Sequence, residues 1–232
     1  MKFSTDKSHR DYFYKHGVIE FDELFNADQV HEMDVLIGQI LCKRLSIQPN
    51  KLARLSPEEF FLHGYNLFRD DESLKKLLLH RRLAEIAAEL LEVQYLRMGF
   101  DQLFVGETEP SKFKTIYDQF LHQEGTLQEK SCIKPVVCGL NICIEPAQPS
   151  EMTSILFPKT PGSGVFFKAD IPLDFQFLTQ VSGGRYLMIA YADRRTVYIL
   201  NEKDPHTHLL KRQGYVFGDL LSDSLNPLIC RK

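Results

Sequence analysis

No two cysteines in this 232-residue chain are spaced as Cys-x-x-Cys. The five present, Cys42, Cys132, Cys138, Cys143 and Cys230, are an odd number, and three lie in or beside one apolar run. That usage excludes a structural zinc finger and a disulfide framework. It implies a reducing compartment, in which a buried free thiol behaves as a small hydrophobe. Also missing is any run near the ~18 consecutive apolar residues of a membrane-spanning helix. The opening MKFSTDKSHRDYFYKHG has no apolar centre of the kind a secretory signal requires. Charge of one sign is in no excess: 28 Lys and Arg face 31 Asp and Glu, a formal −3, with no dense basic cluster. A field that attracts nucleic acid is therefore not expected. These absences predict a cytoplasmic protein with neither nucleic acid nor membrane as partner.

What is present is ordinary globular material, 44% hydrophobic and 25% charged, enough for a sizeable core in a single domain over residues 1–232. The grammar changes near residue 95. Before it, helices dominate. Residues 7–16 form a short amphipathic piece closed by Gly17, and Val18-Ile19-Glu20-Phe21 reads as a brief strand. Asn26 with Gln29 is a capping-box start for a helix to about Arg44, with Val30, Met33, Ile37 and Leu41 at helical spacing. Ser56-Pro57-Glu58-Glu59 is a second start signal, and residues 72–92 read as a third helix. After it, short runs rich in Val, Ile, Phe and Tyr alternate with Pro, Gly and Ser clusters, the pattern of a β-sandwich or barrel. The candidate strands are 102–105, 114–122, 136–144, 153–157, 164–168, 175–179, 185–191, 196–200 and 215–217. No internal repeat or low-complexity segment interrupts them.

Among the motifs, His122-Gln123-Glu124 carries the most chemistry. On an extended segment, side chains at i and i+2 point to one side. An imidazole and a carboxylate so placed can supply two of the three ligands of a facial iron site. The alternative is a surface histidine at a strand end. His206 and His208 form a second tight pair, after the turn-starting Asp204-Pro205, and are either metal ligands or residues of a solvated loop. Gly162-Ser163-Gly164 lacks the Lys-Ser/Thr of a phosphate loop, and there is no Gly-x-Ser-x-Gly elbow.

Several of these segments, in this order, resemble the phytanoyl-CoA dioxygenase-like branch of the iron- and 2-oxoglutarate-dependent oxygenases. They are Asp11-Tyr12-Phe13 with His16-Gly17-Val18-Ile19, then 25–30, 82–87 leading to Asp101-Gln102-Leu103-Phe104, His122-Gln123-Glu124, 136–140, Pro161-Gly162-Ser163 and 185–189. The resemblance spans residues 10 to about 192 and leaves the last forty uncovered. It implies a double-stranded β-helix, a mainly β jelly-roll or cupin-like barrel of the α+β class, with the N-terminal helices packed on one sheet. It further implies Fe(II) held by His122 and Glu124, the latter in place of the family's Asp, and the 2-oxoglutarate carboxylate gripped by Arg185. The family's distal His has no counterpart, since no His lies between His122 and His206. Asp174 stands about where it should be and is either an oxygen ligand or a solvated loop residue. A second register, using Gly218-Asp219 and Arg231, likewise supplies no His.

Two readings follow. In the first the chain is an Fe(II)/2-oxoglutarate-dependent hydroxylase of a small organic substrate. In the second it keeps the barrel as a non-catalytic binding protein whose metal site is lost.

Overall fold

Helix starts in this chain are written locally, by side chains that take up the first free backbone N–H groups. Asp6 with His9, Asn26 with Gln29, Ser56 with Glu59, Thr115 with Asp118 and Thr126 with Glu129 each form a reciprocal capping box. In the computed structural model, which describes residues 5–106, 115–148 and 153–231, these boxes open α1 (Lys7–His16), α2 (Ala27–Leu45), α3 (Pro57–His63), α6 (Ile116–His122) and α7 (Leu127–Lys130). Asp71 caps α4 (Glu72–Leu78). His80 leaves the helical conformation, and its Nδ1 accepts from Arg82 N at 3.2 Å, so α5 (Arg81–Leu91) starts afresh. The helix expected across 72–92 is therefore two. Gly17, at φ 74°, closes α1 in the left-handed conformation that glycine adopts without strain.

The strands are β1 (Val18–Phe21), β2 (Tyr95–Val105), β3 (Ile133–Glu145), β4 (Gly164–Lys168), β5 (Arg185–Tyr198) and β6 (Leu228–Arg231). They form one antiparallel sheet in the order β1-β4-β3-β5-β2-β6. β5 runs on through the exposed Arg194 and Arg195, where the sequence suggested a break, because Val197 and Tyr198 keep pairing with Lys134 and Ile133.

Each face of the sheet carries its own core. Along β5, Leu187, Ile189 and Tyr191 pack toward α1, α2, α4 and α5, while Tyr186, Met188, Ala190 and Ala192 face the other way. In β2 a bulge between Met98 and Phe100 shifts the alternation, so Leu96 and Met98 before it and Leu103 after it all meet the helices. The C-terminal residues return across this bulge. The Asn226 side-chain amide donates to the Met98 and Gly99 carbonyls at 3.0 and 2.6 Å, and β6 then pairs with Tyr95–Arg97.

The architecture is thus mainly an antiparallel sheet, with α1, α2, α4 and α5 on one face as expected, whereas α3 packs on the other through Phe61. The second sheet of a jelly roll is not built as strands among the described residues. Residues 116–122 are helix α6 rather than strand, because Thr115 and Asp118 cap it. Residues 175–179 turn into the short helix α8 (Phe177–Gln180), and 153–157 and 215–217 are irregular chain with bends at 155–157 and a turn at 217. What crosses the far side is the isolated bridge Thr126↔Pro172, with Leu173 N donating to Gly125 O at 3.0 Å and Gln128 N to Ala169 O at 2.9 Å.

Candidate functional site

The face of the sheet turned from α1, α2, α4 and α5 is the side on which the resemblance implies a barrel interior, and aromatic rings fill it. Phe104 from β2 and Tyr186 from β5 rise from the sheet. Phe61 from α3, Tyr117 and Phe120 from α6, Phe157 and Phe175 close over them. The Phe104–Phe175 centroids are 4.9 Å apart, Phe120–Phe175 5.7 Å, Phe157–Tyr186 4.9 Å and Phe61–Phe120 5.0 Å. These are tilted, stacked and edge-on contacts at packing distance. Gly139 on β3 makes room for a further ring of this core, Phe167 of β4, since a Cβ there would sit 2.1 Å from it.

One cation stands inside this apolar mass. Lys130, the last residue of α7, is 3% exposed. Its Nζ lies 4.6 Å from the Phe120 ring centroid and 5.4 Å from that of Phe175, and donates to the Phe120 carbonyl at 2.8 Å. Burial pushes its pKa down to about 8, with Lys203 adding to the effect. No local pattern announces this burial: in Leu127-Gln128-Glu129-Lys130 the lysine reads as the solvated end of a short helix.

The residues singled out as metal ligands do not point into this space. His122 is the last residue of α6 rather than part of an extended segment, and is exposed. Its Nδ1 lies 2.9 Å from the Asp118 carbonyl oxygen one turn back, an acceptor, so Nδ1 carries the proton. Glu124 and Asp174 flank the Gly125–Leu173 backbone hydrogen bond, and both are exposed. Among the described residues no group of three His, Cys, Asp or Glu side chains is placed to hold a metal ion. The described residues do not bring together a ligand set that fits an iron site.

Arg185 lies on the opposite face. As an odd-numbered β5 residue it shares the side of Leu187 and Ile189. There its guanidinium takes Asp34 of α2 through two bonds and Glu145 of β3 at 2.8 Å. This ion triad forms a shared wall of two adjoining hollows of about 410 and 690 Å³ between α2 and the sheet edge.

The second histidine pair divides as well. His208 is exposed, whereas His206 is buried and stacks on Tyr65 at 4.3 Å, with Phe61 at 5.0 Å. Burial pulls its pKa down to about 3, so the imidazole is neutral. Asp204, also buried, accepts from Cys132 N at 2.6 Å and from His206 N at 2.8 Å, and burial raises its pKa. Desolvation also raises the Cys132 thiol far above its ordinary range, with the Asp204 charge adding to it. The cluster holds a protonated thiol and a neutral ring, the reverse of an activated nucleophile.

No protein-family model matches the chain, and no curated protein matches it. Solved structures do. The non-heme alpha-ketoglutarate-dependent carbocyclase SnoK of nogalamycin biosynthesis is 13% identical with a TM-score of 0.66, over 97% of this chain and 96% of that one. The epimerase SnoN, in complex with Fe3+, alpha-ketoglutarate and nogalamycin RO, is 13% identical at 0.64, over 96% and 98%. CytC3 with Fe(II) and alpha-ketoglutarate is 11% identical at 0.57, over 85% and 81%. The chain has the fold of the non-heme iron, 2-oxoglutarate-dependent enzymes.

Proposed function

We propose that this chain is a non-catalytic relative within that fold, descended from the phytanoyl-CoA dioxygenase-like branch that its ordered motifs resemble, and that it acts in the cytoplasm as a binding protein for a small organic ligand. One observation carries the reading. The sheet face that the resemblance implies as the barrel interior is covered by Phe104, Phe120, Phe157 and Phe175, with the Lys130 ammonium among them. A fixed cation there opposes a metal cation through like-charge repulsion in a low-dielectric setting. Exposed His122, Glu124 and Asp174 offer no set of three ligands, and losing even one ligand or its support weakens metal binding steeply. With its guanidinium engaged by Asp34 and Glu145, Arg185 has no free fork for a cosubstrate carboxylate.

The reading from the fold's metal-dependent members is an oxygenase acting on a small organic substrate, and one experiment separates the two. Anaerobic titration of the full chain with Fe(II) and 2-oxoglutarate is expected to give no visible charge-transfer band, and calorimetry no saturable metal uptake. A band that grows to one equivalent would overturn the proposal and restore the oxygenase.

A further inference from the structure

A cleft of about 390 Å³ lies between residues 62–70 and the 209–213 turn of the C-terminal extension. Its size falls within the ~300–1,000 Å³ of small-molecule sites. Three arginines, Arg44, Arg69 and Arg212, line it against one carboxylate, Asp70.

Arg44 is fully engaged. Its Nε donates to Asp70 at 2.7 Å and its Nη atoms to the carbonyls of His63, Tyr65 and Asn66, so it braces the wall of the cleft. Arg69 is different. Its Nη atoms donate to the Leu225 carbonyl and, at 3.0 Å, to Asn226 Oδ1, yet its buried Nε has no acceptor. The guanidinium makes no ion pair among the described residues, its charge balanced only by the Phe68 ring at 4.7 Å and by more distant carboxylates. Arg212 is exposed and equally without an ion pair among the described residues.

Two more buried atoms on this wall lack partners: Asn66 Oδ1, on a side chain 4% exposed, and Gln213 Oε1. Buried polar groups are rarely left unmatched, because an unmade hydrogen bond leaves the group's desolvation uncompensated. Here one unmatched cationic donor and two unmatched acceptors belong to residues that line the same cleft, beside the exposed Arg212 guanidinium. The matching ligand is an anion that also carries hydroxyl donors. We infer that this cleft binds a small phosphorylated polyol, its phosphate on Arg69 and Arg212 and its hydroxyls on Asn66 and Gln213. The site is independent of the iron question and stands whichever way that is settled.

The test uses the full chain with glycerol 3-phosphate as probe and inorganic phosphate as comparison, at matched ionic strength. Proton–nitrogen NMR is expected to show saturable shifts confined to residues 62–70 and 209–213 and to the Arg69 Nε–H. Glycerol 3-phosphate should bind several-fold more tightly than inorganic phosphate. Arg212→Ala, on the exposed turn, should weaken binding about tenfold. Asn66→Gly suits the left-handed backbone at φ 54° and removes an atom with no partner in the free chain, so Tm should hold while affinity falls. Absence of saturation, equal affinity for the two probes, or affinity indifferent to both substitutions would each overturn the assignment.

Discussion

The Lys130 ammonium and the Phe120 residue hold one another twice, through the ring face at 4.6 Å and through the carbonyl at 2.8 Å. The bond and the ring offset part of the cost of burying the charge, and the lowered pKa of about 8 records what they leave unmet. Between pH 8 and the ordinary lysine value of 10.5, the unfolded chain binds more protons than the folded one. Stability from this group therefore rises with pH across that window, by an amount on the order of 1–3 kcal/mol. Lys130→Met, which keeps the volume and drops the charge, should be at least as stable as wild type at pH 7. It should also lose this part of the pH dependence. Urea unfolding of both proteins at pH 7.5 and 10 measures it, and a parallel response in the two would show that Lys130 is not the group responsible.

His206 predicts the opposite end of the scale. Its folded pKa of about 3 lies below its ordinary 6.5, so as pH falls through that interval the unfolded state gains a proton that the folded state refuses. The stability held at neutral pH is lost progressively between pH 6.5 and 3, at about 1.4 kcal/mol for each step of one in pH, a few kcal/mol in all. His206→Phe keeps a ring against Tyr65 and Phe61 and should flatten the acid limb of the stability curve. Equilibrium denaturation from pH 7 to 4 supplies the comparison.

Asp101, on β2, is fully buried and accepts from the backbone N–H groups of Leu67 at 2.8 Å and Phe68 at 3.1 Å, pinning the turn after α3 to the sheet. Desolvation outweighs those bonds and raises its pKa to about 6. As pH rises from about 4 to 6 the folded carboxyl ionises later than the unfolded one, so this group's contribution falls over that range. Asp101→Ala leaves two buried donors without acceptors and should cost about 2–4 kcal/mol at pH 7. Chemical denaturation tests it, and a loss under about 1 kcal/mol would mean the turn relaxes to water.

How much of this was legible in the chain depends on the range of the interactions that decide it. The starts of α1, α2 and α3 were written in pairs three residues apart, and β3, β4 and the first half of β5 in apolar runs that hold in any setting where they are buried. Residues 116–122 misled because Ile116, Tyr117 and Phe120 have strand-like chemistry, while Thr115 and Asp118 cap a helix that puts Tyr117 and Leu121 inside. The motif at His122 depended on that segment being extended, so its side-by-side geometry went with the strand. Arg185 was found at the head of β5, as the resemblance implied. Which face it takes depends on strand phase against α2, which no local pattern records. Lys130 and Arg69 are buried by contacts at long sequence separation, with Phe175 and with Leu225 and Asn226.

Arg185 gives the sharpest contrast between the two functional readings. Its guanidinium, 33% exposed, ties Asp34 of α2 (32%) and Glu145 of β3 (55%) across the mouth of the hollows between helix and sheet. Pairs this exposed contribute little, about 0–1 kcal/mol each, and less as salt rises. Arg185→Ala and Asp34→Asn should therefore each lower stability by roughly 1 kcal/mol or less. In a double-mutant cycle the coupling energy should shrink between about 50 mM and 1 M salt. An anchor for a cosubstrate behaves otherwise. Were Arg185 to grip 2-oxoglutarate through two parallel bonds, wild type would show saturable uptake in calorimetry and Arg185→Ala would abolish it, whatever happened to stability. The geometry at Asp34 and Glu145 predicts a flat titration for both proteins, because the fork that would take the carboxylate already holds two from its own chain.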